Sequence, residues 1–483
     1  VSAVVRIVDG IGGATLLDLN TWSSGAGALL SRDTTELARV TLTDVSARPA
    51  IWSPLLDRDL PDRRQIDVPV TIIGTSADDL AARIQTLNKL TAQPFWLSIQ
   101  RHGGTATSYL QCWPAIAQVS YPVTANQPQT IAVGRLTTDT LPYALGDRVD
   151  SSGTVNVTQN PTSTTAFTLD INSVTGDTPT PVCLACSDAT SWIGQLHSSI
   201  IAVRRRGTPA NLTTLYVQAE AASSTSVGGG HVPTVATFGS DATFSNSGGM
   251  KVTIPSTSTG GFDSYGILTF APYPTSGVEA RGLYKLLVRV RRSGGAAGAE
   301  IGLGAHIGAL PSQDLTYPAG GNDTRVVDLG YVPIPCGQPG YQANPGGGAA
   351  SAAAPKIDLY VWKTAAGAGV VDIDWLALIP ADDDLGMETI SGVVPASGGW
   401  WMLDGYDHTP RIFNGDPRNT GSSASGQVPG QTVTYVGGAP RLQPGNNRLY
   451  LVGGLAKDAA ASWAPSTTVP ITWYYWPRFL GLR

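Results

Sequence analysis

Val68–Gln100 reads VPVTIIGTSADDLAARIQTLNKLTAQPFWLSIQ, a strand, a helix and a second strand in one run. Val68, Val70 and Ile72 alternate with Pro69, Thr71 and Ile73, a period near two, and Gly74 closes the strand. Thr75 or Ser76 can cap a helix over about 76–92, because a side-chain oxygen accepts from one of its unpaired first N–H groups. Asp78 and Asp79 then meet the positive end of the helix dipole. Leu80, Ile84 and Leu87 recur at helical spacing, with Ala77, Ala81 and Leu90 near the same face and Arg83, Gln85 and Lys89 largely outside it. Pro94 stops the helix, and Phe95, Leu97 and Ile99 alternate outward again. This is the one convincing amphipathic helix in the sequence, so it is expected to cover a sheet.

The surrounding composition fits many short strands. Charged residues make up 14% of the 483, against a usual share of about 25%, while Gly (56) and Pro (34) are abundant. The length allows two to four domains. A net charge of −5 argues against a phosphate-binding surface and so against nucleic acid as a specific partner. Cys183 and Cys186 form one CxxC; with no second pair to complete a zinc site, they and Cys112 and Cys336 read as free thiols. No apolar run reaches the length of a membrane span and no signal peptide opens the sequence. The expectation is a soluble protein, cytosolic or released by a route other than general secretion.

Around the opening stretch, residues 1–148 read as a first β-rich domain. Its strands are expected at Val4–Val8, Ala14–Leu19, Val40–Val45, Ser108–Trp113, Ala115–Ser120 and Gln129–Leu136. The basic–acidic–apolar strand Arg64-Gln-Ile-Asp-Val-Pro-Val-Thr-Ile-Ile-Gly, the Leu/Ala-rich helix and the strand Pro94-Phe-Trp-Leu-Ser-Ile resemble the N-terminal hub domain of siphophage distal and minor tail proteins. Pro444-Gly-Asn-Asn447 and the closing VPITWYYWPRFLGLR resemble the C-terminal end of that family. The resemblance implies a virion protein, made in the host cytoplasm and placed at the tail tip. There it would form a homo-hexameric ring joining the tail tube protein to baseplate and tail-tip proteins.

Residues 149–208 with 389–483 read as a second β-sandwich domain, and 209–388 as an insertion. Evenly spaced strands with Gly-rich breaks, such as Gly337–Pro355, argue for a jelly roll in the insertion. The fold class is thus mainly β: a hub domain with one packed helix, a second sandwich and an inserted jelly roll. The opening LYVQAEAAS (Leu215–Ser223) and the closing VVDIDWLALIPADDD (Val370–Asp384) resemble the carbohydrate-binding jelly rolls appended to glycoside hydrolases. That resemblance implies a structural Ca²⁺ with Glu220 and Asp372 or Asp374 as ligands, the hard oxygen donors calcium takes.

Chemistry of other kinds is not encoded in any motif. The five histidines lie far apart with no HxxxH pair, no G-x-S-x-G elbow occurs, and no P-loop lysine is present. Gly302-Leu-Gly-Ala-His-Ile-Gly308 has the wrong spacing for a dinucleotide loop and reads as a strand turn. Asp382–Asp384 reads as a solvated run, and Arg204–Arg206 as a solvated strand end or a contact to a neighbouring subunit. Trp362, Trp400, Trp401 and Tyr406 are candidates for stacking on sugar rings. The reading is a non-enzymatic tail protein whose inserted domain contacts host cell-wall glycans. A stand-alone carbohydrate-binding adhesin is the alternative, and a glycoside hydrolase with unrecognised carboxylates a third.

Overall fold

A computed structural model describes residues 4–19, 28–30, 64–101, 104–121, 130–158, 168–187, 199–204, 215–222, 224–241, 244, 247–258, 261–270, 282–295, 301–307, 310–311, 315–317, 324–334, 357–363, 366–380, 387–392, 400–406, 409–416, 418, 433–436, 441–452 and 468–482. The strand expected at Val40–Val45 and the segments Arg205–Arg206, Gly337–Pro355 and Asp382–Asp384 lie outside the described residues. The described residues are mainly β, in several antiparallel sheets with one α-helix. No helix among them is long and apolar enough to cross a membrane.

The chain divides into two compact units. One comprises Val1–Val149, Val174–Thr180 and Tyr474–Arg483; the other comprises Asp150–Ser173 and Pro181–Trp473. Two stretches that the sequence places with the second sandwich, Val174–Thr180 and the last ten residues, thus belong to the first unit.

In the first unit a 10-stranded sheet runs Thr15–Asp18, Val4–Val8, Phe95–Gln100, Thr107–Cys112, Ile131–Thr140, Arg64–Ile73, Ala28–Leu30, with Gln118–Ser120 beside Ile131–Thr140, Ala144–Leu145 beside Thr107–Cys112, and Arg478–Phe479 beside Ala144–Leu145. The two strands that flank the helix in sequence are therefore not neighbours; two others separate them. Arg64–Ile73 pairs along its whole length with Ile131–Thr140, from Arg64 opposite Thr140 to Ile73 opposite Ile131. Helix α1 (Ala77–Thr91) is capped by Ser76, whose Oγ accepts from the Asp79 N–H at 3.1 Å. Asp79 in turn accepts from the Thr75 N–H at 2.7 Å and pairs with Arg83 one turn on. These bonds hold the Asp79 carboxyl below its usual range, the Thr75 N–H first. Replacing Ser76 by Ala is expected to cost about 1 kcal/mol, read by denaturant unfolding of the first unit.

The helix buries Leu80 and Leu87 in one apolar cluster with Val68, Val70, Ile72, Leu97 and Leu110 from the sheet. Gly74 is required by close approach: a methyl group there would sit 2.5 Å from the Leu80 nitrogen. Ala144–Leu145 is a short strand paired with Arg478–Phe479 near the chain's end. The expected Ala115–Ser120 strand shrinks to Gln118–Ser120.

A six-stranded sheet, most of it in the second unit, places Thr468–Tyr475 between Val149–Asp150 and Cys183–Ser187, followed by Trp400–Asp404 and Thr409–Phe413. Thr468–Tyr475 has the two-sided burial its bulky sequence implies, with Ile471 and Thr472 both inaccessible. Another sheet runs Thr168–Val174, Gly445–Val452, Ser199–Arg204, Met387–Gly392, Val433–Val436. Arg448 joins two of its strands through paired hydrogen bonds to Asp170 at 2.6 and 2.8 Å. Cys112, Cys183 and Cys186 are buried free thiols, and burial pushes the thiols of Cys112 and Cys186 far up.

Residues 215–380 build two further six-stranded sheets packed on one core. The first runs Thr234–Gly239, Gly248–Ile254, Gly369–Pro380, Gly282–Gly295, Thr324–Ile334, with Leu215–Gln218 added beside Gly369–Pro380. The second runs Ser224–Gly229, Gly261–Phe270, Ile357–Lys363, Ile301–Ile307, Leu310–Pro311, with Leu315–Tyr317 beside Ile301–Ile307. Val252, Leu286, Val288 and Ile373 of the first meet Leu268, Leu303, Leu359 and Val361 of the second in one buried cluster. This is an antiparallel sandwich, each sheet apolar inward. Residues 302–307, expected to be a strand turn, are strand: Gly302, Leu303 and Gly304 pair in register with Trp362, Val361 and Tyr360.

Candidate functional site

Strand alternation decides what the second of these sheets offers outward. Leu268, Phe270, Leu359 and Val361 point into the core, so Tyr265, Ile267 and Thr269 share the opposite face with Asp358, Tyr360 and Trp362. Across the pair, Tyr265 stands opposite Trp362, Ile267 opposite Tyr360, and Thr269 opposite Asp358. The rings of Tyr265 and Tyr360 lie 6.0 Å apart, tilted by 42°. The Thr269 hydroxyl donates to Asp358 Oδ1 at 2.6 Å, which orients the carboxylate. Burial, and next the Asp358 charge, hold the Tyr360 hydroxyl above its ordinary pKa.

Glycines on the flanking strands set the attitude of the rings. Gly228 lies opposite Tyr265, and a methyl group there would run into the Tyr265 ring; one on Gly302 would run into the Trp362 indole. Both rings therefore lie across a neighbouring backbone that has no side chain to lift them. Trp362 is 6% exposed, which makes it the packed end of the row and leaves the half-buried Tyr265 and Tyr360 as the accessible rings. Next to Trp362, Lys363 is buried and its ammonium donates to the carbonyls of Pro255, at 2.8 Å, and Gly367. Burial lowers its pKa, and two backbone oxygens of separate loops are tied together at this end of the sheet.

The other aromatic candidates are elsewhere. Trp400 and Trp401 begin the strand Trp400–Asp404, in a different sheet; Trp400 is half-buried and the Trp401 side chain lies outside the described residues. Tyr406 follows that strand, its backbone N–H donating to Asp404 Oδ1 at 2.9 Å. Tyr265, Tyr360 and Trp362 thus share one face, while Trp400 and Trp401 belong to a strand of another sheet. Sequence reasoning misses Tyr265 and Tyr360 because nothing in their local spacing distinguishes an outward tyrosine from a core one.

The three carboxylates expected to bind calcium do not converge. Met250, Val252 and Ile254 face the core, so a side chain at Gly248 would share that side, and Glu220 packs there, its Oε1 2.7 Å from where a methyl on Gly248 would be. Asp372, paired in register with Lys251, faces the other way. Asp374 is the extra residue of a β-bulge: Val290 pairs with Ile373 and Arg289 with Trp375, and Asp374 is looped out between them. It forms a buried ion pair with Arg289, and Asp372 accepts from Arg291 at 2.8 Å. Among the described residues no group of three or more His, Cys, Asp or Glu side chains is arranged to hold a metal ion. The donor set named from the sequence does not fit one calcium ion.

No family model matches the chain, and no curated protein does. Among solved structures it is similar to TmCBM61 in complex with β-1,4-galactotriose (13% identity, 33% of this chain and 90% of that one, TM-score 0.21). It is similar to the C-terminal CBM6 of the laminarinase LamC from Zobellia galactanivorans (15% identity, 34% and 98%, TM-score 0.20). It is also similar to the Dit protein of phage SPP1, described as a hub adsorption apparatus of phages infecting Gram-positive bacteria (10% identity, 86% and 79%, TM-score 0.21). Its structural neighbours thus include carbohydrate-binding modules and a phage hub protein.

Proposed function

We propose that this chain is a non-catalytic structural protein of a long-tailed phage tail tip, and that its 209–388 jelly roll contacts host cell-wall saccharide. The observation that carries the second half is the outward row of Tyr265 and Tyr360, closed by Trp362 and flanked by glycines. Ring faces laid along a sheet stack on the apolar faces of pyranose rings, while the Asp358 carboxylate and Tyr360 hydroxyl supply an acceptor and a donor for sugar hydroxyls. What supports the first half is the residue pattern from Arg64 to Gln100 and the helix within it that covers a sheet, the features that resemble tail hub domains. In this reading subunits assemble as a ring beside the tail tube and baseplate proteins, burying sheet edges and apolar faces.

The test is binding of the full chain to a panel of cell-wall polysaccharides, measured by affinity electrophoresis and calorimetry. Tyr360→Ala is expected to weaken binding at least about 10-fold, the loss of one stacking contact worth about 1.5 kcal/mol, with the melting temperature little changed. Equal binding by the wild type and the variant would remove the face from consideration. Light scattering across a concentration series reads the assembly: rings of subunits support the tail role, whereas a monomer that binds saccharide favours a stand-alone adhesin.

A further inference from the structure

The outer face of the other jelly-roll sheet carries a charge cluster that the saccharide reading does not use. Arg291 lies between two carboxylates, donating to Asp372 at 2.8 Å and pairing with Asp241 at 2.7 Å. Arg289 pairs with Asp374, both fully buried. Lys251 approaches the second oxygen of Asp372 at 3.8 Å. Three carboxylates therefore meet three cations, and the cluster carries no net charge.

Aromatic rings tie this cluster to the segment that covers it. The guanidinium groups of Arg291 and Arg289 stand 4.5 and 5.7 Å from the centre of the Phe244 ring, and Lys251 stands 5.4 Å from that of Phe238. The two phenylalanines meet edge to face at 5.1 Å, and Phe244 is buried. Backbone bonds from the Asp241 N–H to Ser247 O and from the Phe244 N–H to Asp241 O close the segment on itself.

We propose that this arginine–phenylalanine cluster takes the place of the structural calcium that the jelly-roll resemblance implies, so that the domain is held by its own cations and is independent of metal. A divalent ion entering here would find no excess negative charge and would have to displace a guanidinium from a carboxylate. Glu220, the remaining implied ligand, lies on the other side of the sheet.

The test uses the full chain, stripped with EDTA and then titrated with calcium chloride. The expected result is an unchanged melting temperature with chelator or calcium, and no binding heat. A rise of the melting temperature with calcium, or stoichiometric calcium retained through dialysis, overturns the proposal. In the second arm, Arg291→Gln is expected to lower the melting transition of the jelly roll by on the order of 5 °C. It should also speed hydrogen exchange at the Phe244 amide. If the variant melts and exchanges like the wild type, the cluster does not hold the segment and the proposal fails.

Discussion

Replacing Arg289 by methionine is expected to destabilise the second unit by about 3–5 kcal/mol, among the largest losses any single substitution here would cause. Methionine matches much of the volume, so the loss is electrostatic. The substitution removes the Arg289 guanidinium, which offsets the desolvation of an Asp374 carboxylate held in a bulge with no solvent access. Arg289→Met/Asp374→Leu should recover most of the loss, because replacing both members of a buried pair by apolar groups is often close to neutral. Urea unfolding of the single and double variants checks this. If the double variant is as unstable as Arg289→Met, the loss comes from packing around residue 289 and the ion-pair account is wrong.

Leu87→Ala should cost the first unit about 2–5 kcal/mol, the range for a leucine removed from a core that collapses only in part. Leu87 is 1% exposed, on the face of α1 that covers the sheet. The helix cannot shift easily to fill the space, because Gly74 already holds its first turn at backbone contact distance from the end of the preceding strand. The exposed Gln85→Ala is the control and should stay within about 0.5 kcal/mol of the wild type. Denaturant unfolding followed by tryptophan fluorescence would read both, and a Leu87→Ala loss no larger than the control's would mean that α1 contributes little to the core.

The same helix separates what local sequence determines from what it leaves open. Its cap, acidic first turn and apolar stripe act within one or two turns of chain, so the roles of Ser76, Asp79, Leu80 and Leu87 are legible from their immediate neighbours. Local sequence likewise locates the strand Val4–Val8. The run of glycines at 302–308 misleads because a β-strand tolerates glycine where a neighbour's ring must lie flat, and the indole that requires it is sixty residues away in sequence.

Sequence alone determined that the described residues are mainly β and that α1 is laid on a sheet, because those features rest on the period of apolar residues and on backbone capping. Only the tertiary structure decided which strands are neighbours, such as Arg64–Ile73 beside Ile131–Thr140, since that pairing joins segments far apart in the chain. It alone placed Tyr265 with Tyr360 on one outward face, and it alone divided Glu220 from Asp372 across a sheet. The physical reason is the same in each case. A side chain's face is set by strand parity, one bulge such as that at Asp374 reverses it, and sequence spacing records neither the bulge nor the partner strand.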